Sequence, residues 1–150
     1  MLLGELLVKK GLITREQLDL VLREQKVISD FLGAILLRKY YITEGDLMEA
    51  LSEQFDIPYV ELRLNEIDWR AALHFDRELV NEHCCLPVRE DDNVLWIAIN
   101  NPLDAFAISE SERLAKPKGV RLVLVSTKDM RKALELFKEK AAALLKKSLE

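Results

Sequence analysis

The sequence is poor in the residues that usually carry chemistry. It has two cysteines and two histidines in 150 residues. Cys84 and Cys85 are adjacent, so an unstrained bridge between them is not expected, and no C-x-x-C pair occurs. A disulfide scaffold and a thiolate metal site are both excluded as organising principles, and the two thiols read as buried and inert. His74 and His83 lack ligand-like spacing and are expected to be structural or surface residues. There is no G-x-x-x-x-G-K-[ST], G-x-S-x-G, H-E-x-x-H or G-x-G-x-x-G, so neither nucleotide hydrolysis nor any other catalysis is expected of the chain. No stretch approaches the roughly 20 apolar residues that span a bilayer, so no direct membrane insertion is expected. The opening Met1-Leu2-Leu3 has no basic region ahead of it, and Glu5, Lys9 and Lys10 break up any apolar run beyond it; it does not read as a signal peptide. The cytoplasm is the expected compartment. Positive charge is also short: 22 basic against 26 acidic side chains give a net charge of −4, which argues against nucleic-acid binding.

What is present is a globular balance, 49% hydrophobic and 32% charged, in a length that suits one compact domain or two very small ones. The first third repeats itself. Residues 2–25 (LLGELLVKKGLITREQLDLVLREQ) and 31–54 (FLGAILLRKYYITEGDLMEALSEQ) align without gaps, with 10 of the 24 positions identical. Two amphipathic helices matched by chance would share leucines. They would not also share Gly4/Gly33, Thr14/Thr43 and Gln25/Gln54.

Each copy reads as a short helix, a turn and a longer helix. Gly11 is a natural C-terminal cap for the first, because glycine adopts the left-handed conformation freely. Tyr40 fills that place in the second copy, so a different turn is expected there. Thr14 with Gln17 makes a capping box for the longer helix, and Thr43 with Asp46 a weaker one. Leu18 and Leu22, like Leu47 and Leu51, share a helix face, and the simplest reading is a pair of packed helical hairpins. That reading leaves two features unexplained: a polar Gln at the end of an apolar face in both copies, and a glycine early in both short helices. Glycine inside a helix costs about 1 kcal/mol relative to alanine. Close approach of a neighbouring helix or a ligand would offset it.

After the repeats, residues 55–62 read as extended around Pro58, and residues 65–74 and 76–83 as short helical pieces. Strands are expected over 84–89 and 94–100, a helix over 105–115, a third strand over 120–126, and a final helix to about Lys147 capped by Thr127. The fold class is therefore α+β: a four-helix tandem-repeat subdomain over 1–62, then a small three-stranded sheet with helices over 63–150.

The doubled pattern R-L-G-x-x-L-[VIL]-x-x-G-[LIV]-[LIV]-x4-L-x3-L-x2-Q resembles the N-terminal domain of type II secretion and type IV pilus assembly ATPases. The strand–NPLD–helix segment at 95–105 is similar to the same family's continuation. The first motif is matched by Leu3, Gly4, Leu7, Val8, Gly11, Leu12, Ile13, Leu18, Leu22 and Gln25, and the second by Leu32, Gly33, Leu36, Leu37, Tyr41, Ile42, Leu47, Leu51 and Gln54. The resemblance implies a non-catalytic regulatory or docking domain, with any ATPase module elsewhere. Its implied partner is the cytoplasmic part of a membrane-anchored secretion or pilus platform protein, which would bring the domain to the inner membrane. The alternative it implies is a cyclic di-GMP receptor, with the leucines, glycines and glutamines of the motif as ligand contacts and Asp104 as a lesser one. A structural spacer is a third reading. Leu2 and Phe31 stand where the family's arginine is expected, which removes the strongest anchor for a phosphate in both copies. Asp104 lies at a strand-to-helix junction and reads first as an ordinary helix cap.

Overall fold

The computed structural model describes residues 1–149. Among them are eight α-helices and one three-stranded sheet, the α+β class expected from the sequence. The chain forms two compact units that part after Ile57. The sequence places this boundary after Leu62. Residues 58–60 instead belong with the second unit, because Leu124 N donates to Pro58 O and Val60 N donates to Leu124 O.

The first unit is the tandem repeat: α1 (Leu3–Lys9), α2 (Arg15–Gln25), α3 (Leu32–Arg38) and α4 (Glu44–Phe55). Both longer helices start as the sequence dictates. Thr14 and Thr43 each accept from the third backbone N–H of their helix, and Gln17 and Asp46 reach back to complete a capping box. Removing the first cap by Thr14→Ala should cost about 1 kcal/mol of stability. Denaturant melts that show no loss would mean that α2 does not depend on this cap.

The turn after α3 corrects the expectation. It is made as in the first copy: Gly11 N and Leu12 N donate to Val8 O and Leu7 O, and Tyr40 N and Tyr41 N donate to Leu37 O and Leu36 O. Gly11 takes φ 75° and Tyr40 is forced into the same left-handed region at φ 58°. The hydrogen-bond pattern and the next capped helix impose the geometry, and the side chain bears the strain. Tyr40 is 91% exposed, so its ring returns little. Tyr40→Gly should therefore stabilise the protein by about 0.5–1 kcal/mol, the left-handed penalty less the extra chain entropy of glycine. Loss of stability in the same melts would refute this.

In the second unit a 3-10 turn (Leu64–Glu66) and two short helices, α5 (Trp69–His74) and α6 (Arg77–His83), lead into β1 (Leu86–Glu90) and β2 (Val94–Ile99). Next come α7 (Ala105–Ala115), β3 (Gly119–Leu124) and α8 (Thr127–Ser148). The sheet order is β1-β2-β3; β2 is antiparallel to β1 and parallel to β3. Leu95, Ile97, Ala98 and Ile99 are all buried, as expected of a central strand covered on both faces. Ala98 joins Leu86, Val125, Ala72 and Val80 around Phe137 of α8. The cap of α8 is Ser126, whose side chain accepts from Asp129 N, and not Thr127. Thr127 is already the first helical residue, one place past the position where an N-cap hydroxyl works.

Candidate functional site

The two copies of the repeat are related by more than sequence. Each short helix packs on the long helix of the other copy, α1 with α4 and α2 with α3. The polar contacts obey the same exchange. Lys10 pairs with Glu53 at 2.7 Å, and Lys39 with Glu24 at 2.7 Å. Gln25 Nε2 donates to Asp30 O at 3.1 Å, and Gln54 Nε2 to Met1 O at 3.3 Å. Shifting either member of a pair by 29 residues, the spacing of the copies, yields the other pair with the copies swapped. The unit thus has an internal pseudo-two-fold axis.

Packing within each copy accounts for the glycines, and the exchange between copies for the glutamines, the two features that the sequence leaves open. A Cβ on Gly4 would lie 2.5 Å from Leu18 Cδ1, and one on Gly33 would lie 2.9 Å from Leu47 Cδ1. The glycines therefore admit a leucine of the long helix against the short helix backbone. The glutamines hold the carbonyl just ahead of the other copy's short helix. Only half of each amide is used in this way, and Gln54 Oε1 is buried without a hydrogen-bond partner among the described residues.

Burial divides the motif residues. Gly4, Leu7, Leu18, Gly33, Leu36, Leu47 and Leu51 are buried in the core of the unit. Leu3, Val8, Leu12, Leu32, Leu37, Gln25 and Gln54 are half-buried, while Gly11 and Leu22 are exposed. A ligand therefore has the half-buried set, Gly11 and Leu22 available to it. The two positions where the resemblance expects arginine are open to solvent, Leu2 at 76% and Phe31 at 53%. Each is the N-cap residue of its short helix and makes no side-chain cap bond.

A second feature of this unit escaped the sequence reading. The connector after α2 exposes Val27 (87%) and Ile28 beside Phe31. Val27 and Ile28 join Leu20, Arg23 and Glu24 around an open groove of about 430 Å3. The signal was legible: three large apolar residues within 27–31, a stretch with no place in the repeat's periodicity.

In the second unit Asp104 has two partners. Its Oδ1 accepts from Ala107 N at 3.0 Å, capping α7, and its Oδ2 lies 2.7 Å from His83 Nδ1. The bond to Asp104 raises the His83 pKa above its ordinary value, against the opposing effect of burial. For Asp104, burial pushes upward, but the bonds from His83 and Ala107 N outweigh it and hold the carboxyl below its usual range. A raised folded-state pKa stabilises fully below the unfolded value of about 6.5 and is lost as pH rises through the folded value. A lowered carboxyl stabilises above about 3.9 and is lost below its own folded value. The pair should therefore be strongest in mildly acid solution, and wild type should gain stability over His83→Gln on acidification from neutral pH. Parallel stability–pH curves for the two proteins would exclude the coupling. Cys85 is buried and its thiol is pushed up to about 11, mainly by burial, so it is inert at neutral pH. No group of His, Cys, Asp and Glu suited to a metal occurs among the described residues. No helix among them is long and apolar enough to cross a membrane.

The profile of the MshEN domain matches residues 55–144, more than half of the chain. The chain belongs to the MshEN domain family. The match begins where the second copy of the repeat ends, so the tandem repeat lies ahead of the matched segment. Among curated relatives, the type IV pilus assembly ATPase PilB of Myxococcus xanthus is 28% identical over 135 residues, 90% of this chain and 24% of PilB. The chain thus spans about a quarter of that relative. Among solved structures, that of MshE with cdg superposes with a TM-score of 0.83 at 24% identity, covering 91% of this chain and 99% of the other. The N-terminal domain of XpsE gives a TM-score of 0.62 at 20% identity, covering 89% of this chain and 91% of the other. These likenesses establish a shared fold across both units. The resemblance read from the doubled motif, to the N-terminal domains of type II secretion and type IV pilus ATPases, agrees with them.

Proposed function

We propose that this MshEN domain is a non-catalytic docking module of a secretion or pilus assembly ATPase, binding the cytoplasmic part of a membrane-anchored platform protein. The observation that carries this reading is the exposed apolar surface of the repeat unit. Val27, Ile28 and Phe31 face solvent around the α2–α3 connector, two of them on the open groove, and Leu2 is exposed at the equivalent helix start. Contiguous exposed apolar side chains mark interaction surfaces more often than they serve a monomer. Their chemistry suits an amphipathic helix with apolar anchors at helical spacing. On this reading the domain is cytoplasmic and reaches the inner membrane only through its partner.

A second reading, a receptor for cyclic di-GMP, is favoured by one observation. A two-fold symmetric dinucleotide matches the pseudo-two-fold unit, which offers equivalent half-buried leucines and two half-used amides. MshE has been solved with cdg in the same fold. Against it stand Leu2 and Phe31, which give two phosphates no guanidinium to meet.

The test is a titration of the purified chain with the cytoplasmic segment of the platform protein from the same system. A saturable complex that weakens at least about tenfold in Val27→Asp/Phe31→Asp is the expected result. Absence of a complex, or equal affinity of the variant, would refute docking through this surface.

A further inference from the structure

The parallel pair β2 and β3 ends at a cavity that none of the functions above uses. Asn100 comes directly after β2, and Thr127 begins α8 just beyond β3. Asn100 Nδ2 donates to Val125 O at 3.0 Å and to Thr127 Oγ1 at 3.4 Å, fixing this edge. Beside it lies a pocket of about 320 Å3 whose wall is mainly apolar: Met130, Leu134 and the half-buried Cys84. Arg131, Glu135 and Lys138 stand at its rim, exposed and in no ion pair among the described residues. The residues contributed by α8 recur at three- and four-residue spacing, so one face of its first three turns forms the floor. Ligands of parallel sheets bind outside the carboxyl ends of the strands, in pockets of about this size with an apolar wall and a few polar groups. The start of a 22-residue helix at the same edge adds positive potential.

We propose that this pocket binds a small organic anion with an apolar body. The charged group lies between Arg131 and Lys138, and the apolar body rests against Met130, Leu134 and Cys84. Glu135 leaves the rim with one net positive charge and accepts from any donor on the ligand. The chemistry is shared by a medium-chain carboxylate and a nucleoside monophosphate.

Cys84 supplies the test, because it lines the pocket while Cys85 is buried and its thiol is held at about 11. Maleimide labelling of the intact chain at mildly alkaline pH, with intact mass as the readout, should give a single label at Cys84, whose thiol is also raised by burial but is the more accessible of the two. The probe is 8-anilinonaphthalene-1-sulfonate, with octanoate and AMP as competitors. At saturation the probe should slow Cys84 labelling at least about tenfold, and Arg131→Gln/Lys138→Gln should raise the half-saturating concentration about tenfold. Both substitutions are at exposed positions and leave the core untouched. The competitor that displaces the probe, read as loss of its bound fluorescence while Cys84 stays shielded, identifies the ligand as an acyl carboxylate or a nucleotide phosphate. Unchanged labelling with the probe, equal protection in the variant, or failure of both competitors would overturn the proposal.

Discussion

Replacing Leu2 and Phe31 together with arginine is expected to raise the affinity for cyclic di-GMP about 100-fold. Each arginine restores a charge-assisted hydrogen bond to a phosphate, worth roughly 1.5–3 kcal/mol, and a tenfold change in affinity corresponds to about 1.4 kcal/mol. The positions suit the change. Both side chains are exposed, and neither caps its helix, so nothing in the core is lost. They are equivalent under the internal symmetry, so both arginines face the same two-fold ligand or neither does. Anisotropy of a fluorescent cyclic di-GMP analogue on the two proteins gives the ratio directly. A ratio near one would mean that these helix starts do not line a dinucleotide site, and would remove the resemblance-based placement of that site.

Phe137→Ala should be the most damaging single substitution in the second unit, costing about 3–5 kcal/mol. The ring is fully buried among Ala72, Val80, Leu86, Ala98 and Val125, joining α8 to the sheet and to α5 and α6. Small neighbours such as the alanines have no side-chain reach with which to fill the space. A loss of this size is a large share of the roughly 5–15 kcal/mol of a typical domain. Both tryptophans, Trp69 and Trp96, lie in this unit, so fluorescence-monitored denaturation reports on it selectively. A cost below about 1 kcal/mol would show that α8 packs less tightly than its burial indicates.

The helices of the repeat were legible because their signals are local. A threonine three residues before a glutamine or aspartate, with leucines at helical spacing beyond it, fixes both the start and the buried face. The glycines were readable as close approaches, but not what approaches them, since Leu18 and Leu47 are identified only once the helices have packed. The glutamines were readable as polar exceptions on an apolar face, but not their partners within the unit. Each has as partner a backbone carbonyl just ahead of the other copy, a contact between residues 53 positions apart in the case of Gln54 and Met1. Tyr40 misled. Side-chain preference argued against a left-handed turn there, yet the hydrogen bonds around it and the capped helix beyond it determine the backbone. In the second unit the central strand was legible from the alternation of Leu95, Ile97 and Ile99. The pairing of Pro58 and Val60 with Leu124, which moves the boundary between the units, is non-local and leaves no pattern in the sequence.

Calorimetric titration of the unaltered chain with cyclic di-GMP separates docking from nucleotide reception most directly. If the exposed surface of the repeat serves a protein partner, the dinucleotide should give no saturable heat at submicromolar or low-micromolar concentration. Submicromolar binding with a stoichiometry of one dinucleotide per chain would contradict the docking reading and assign the pseudo-two-fold unit to the nucleotide.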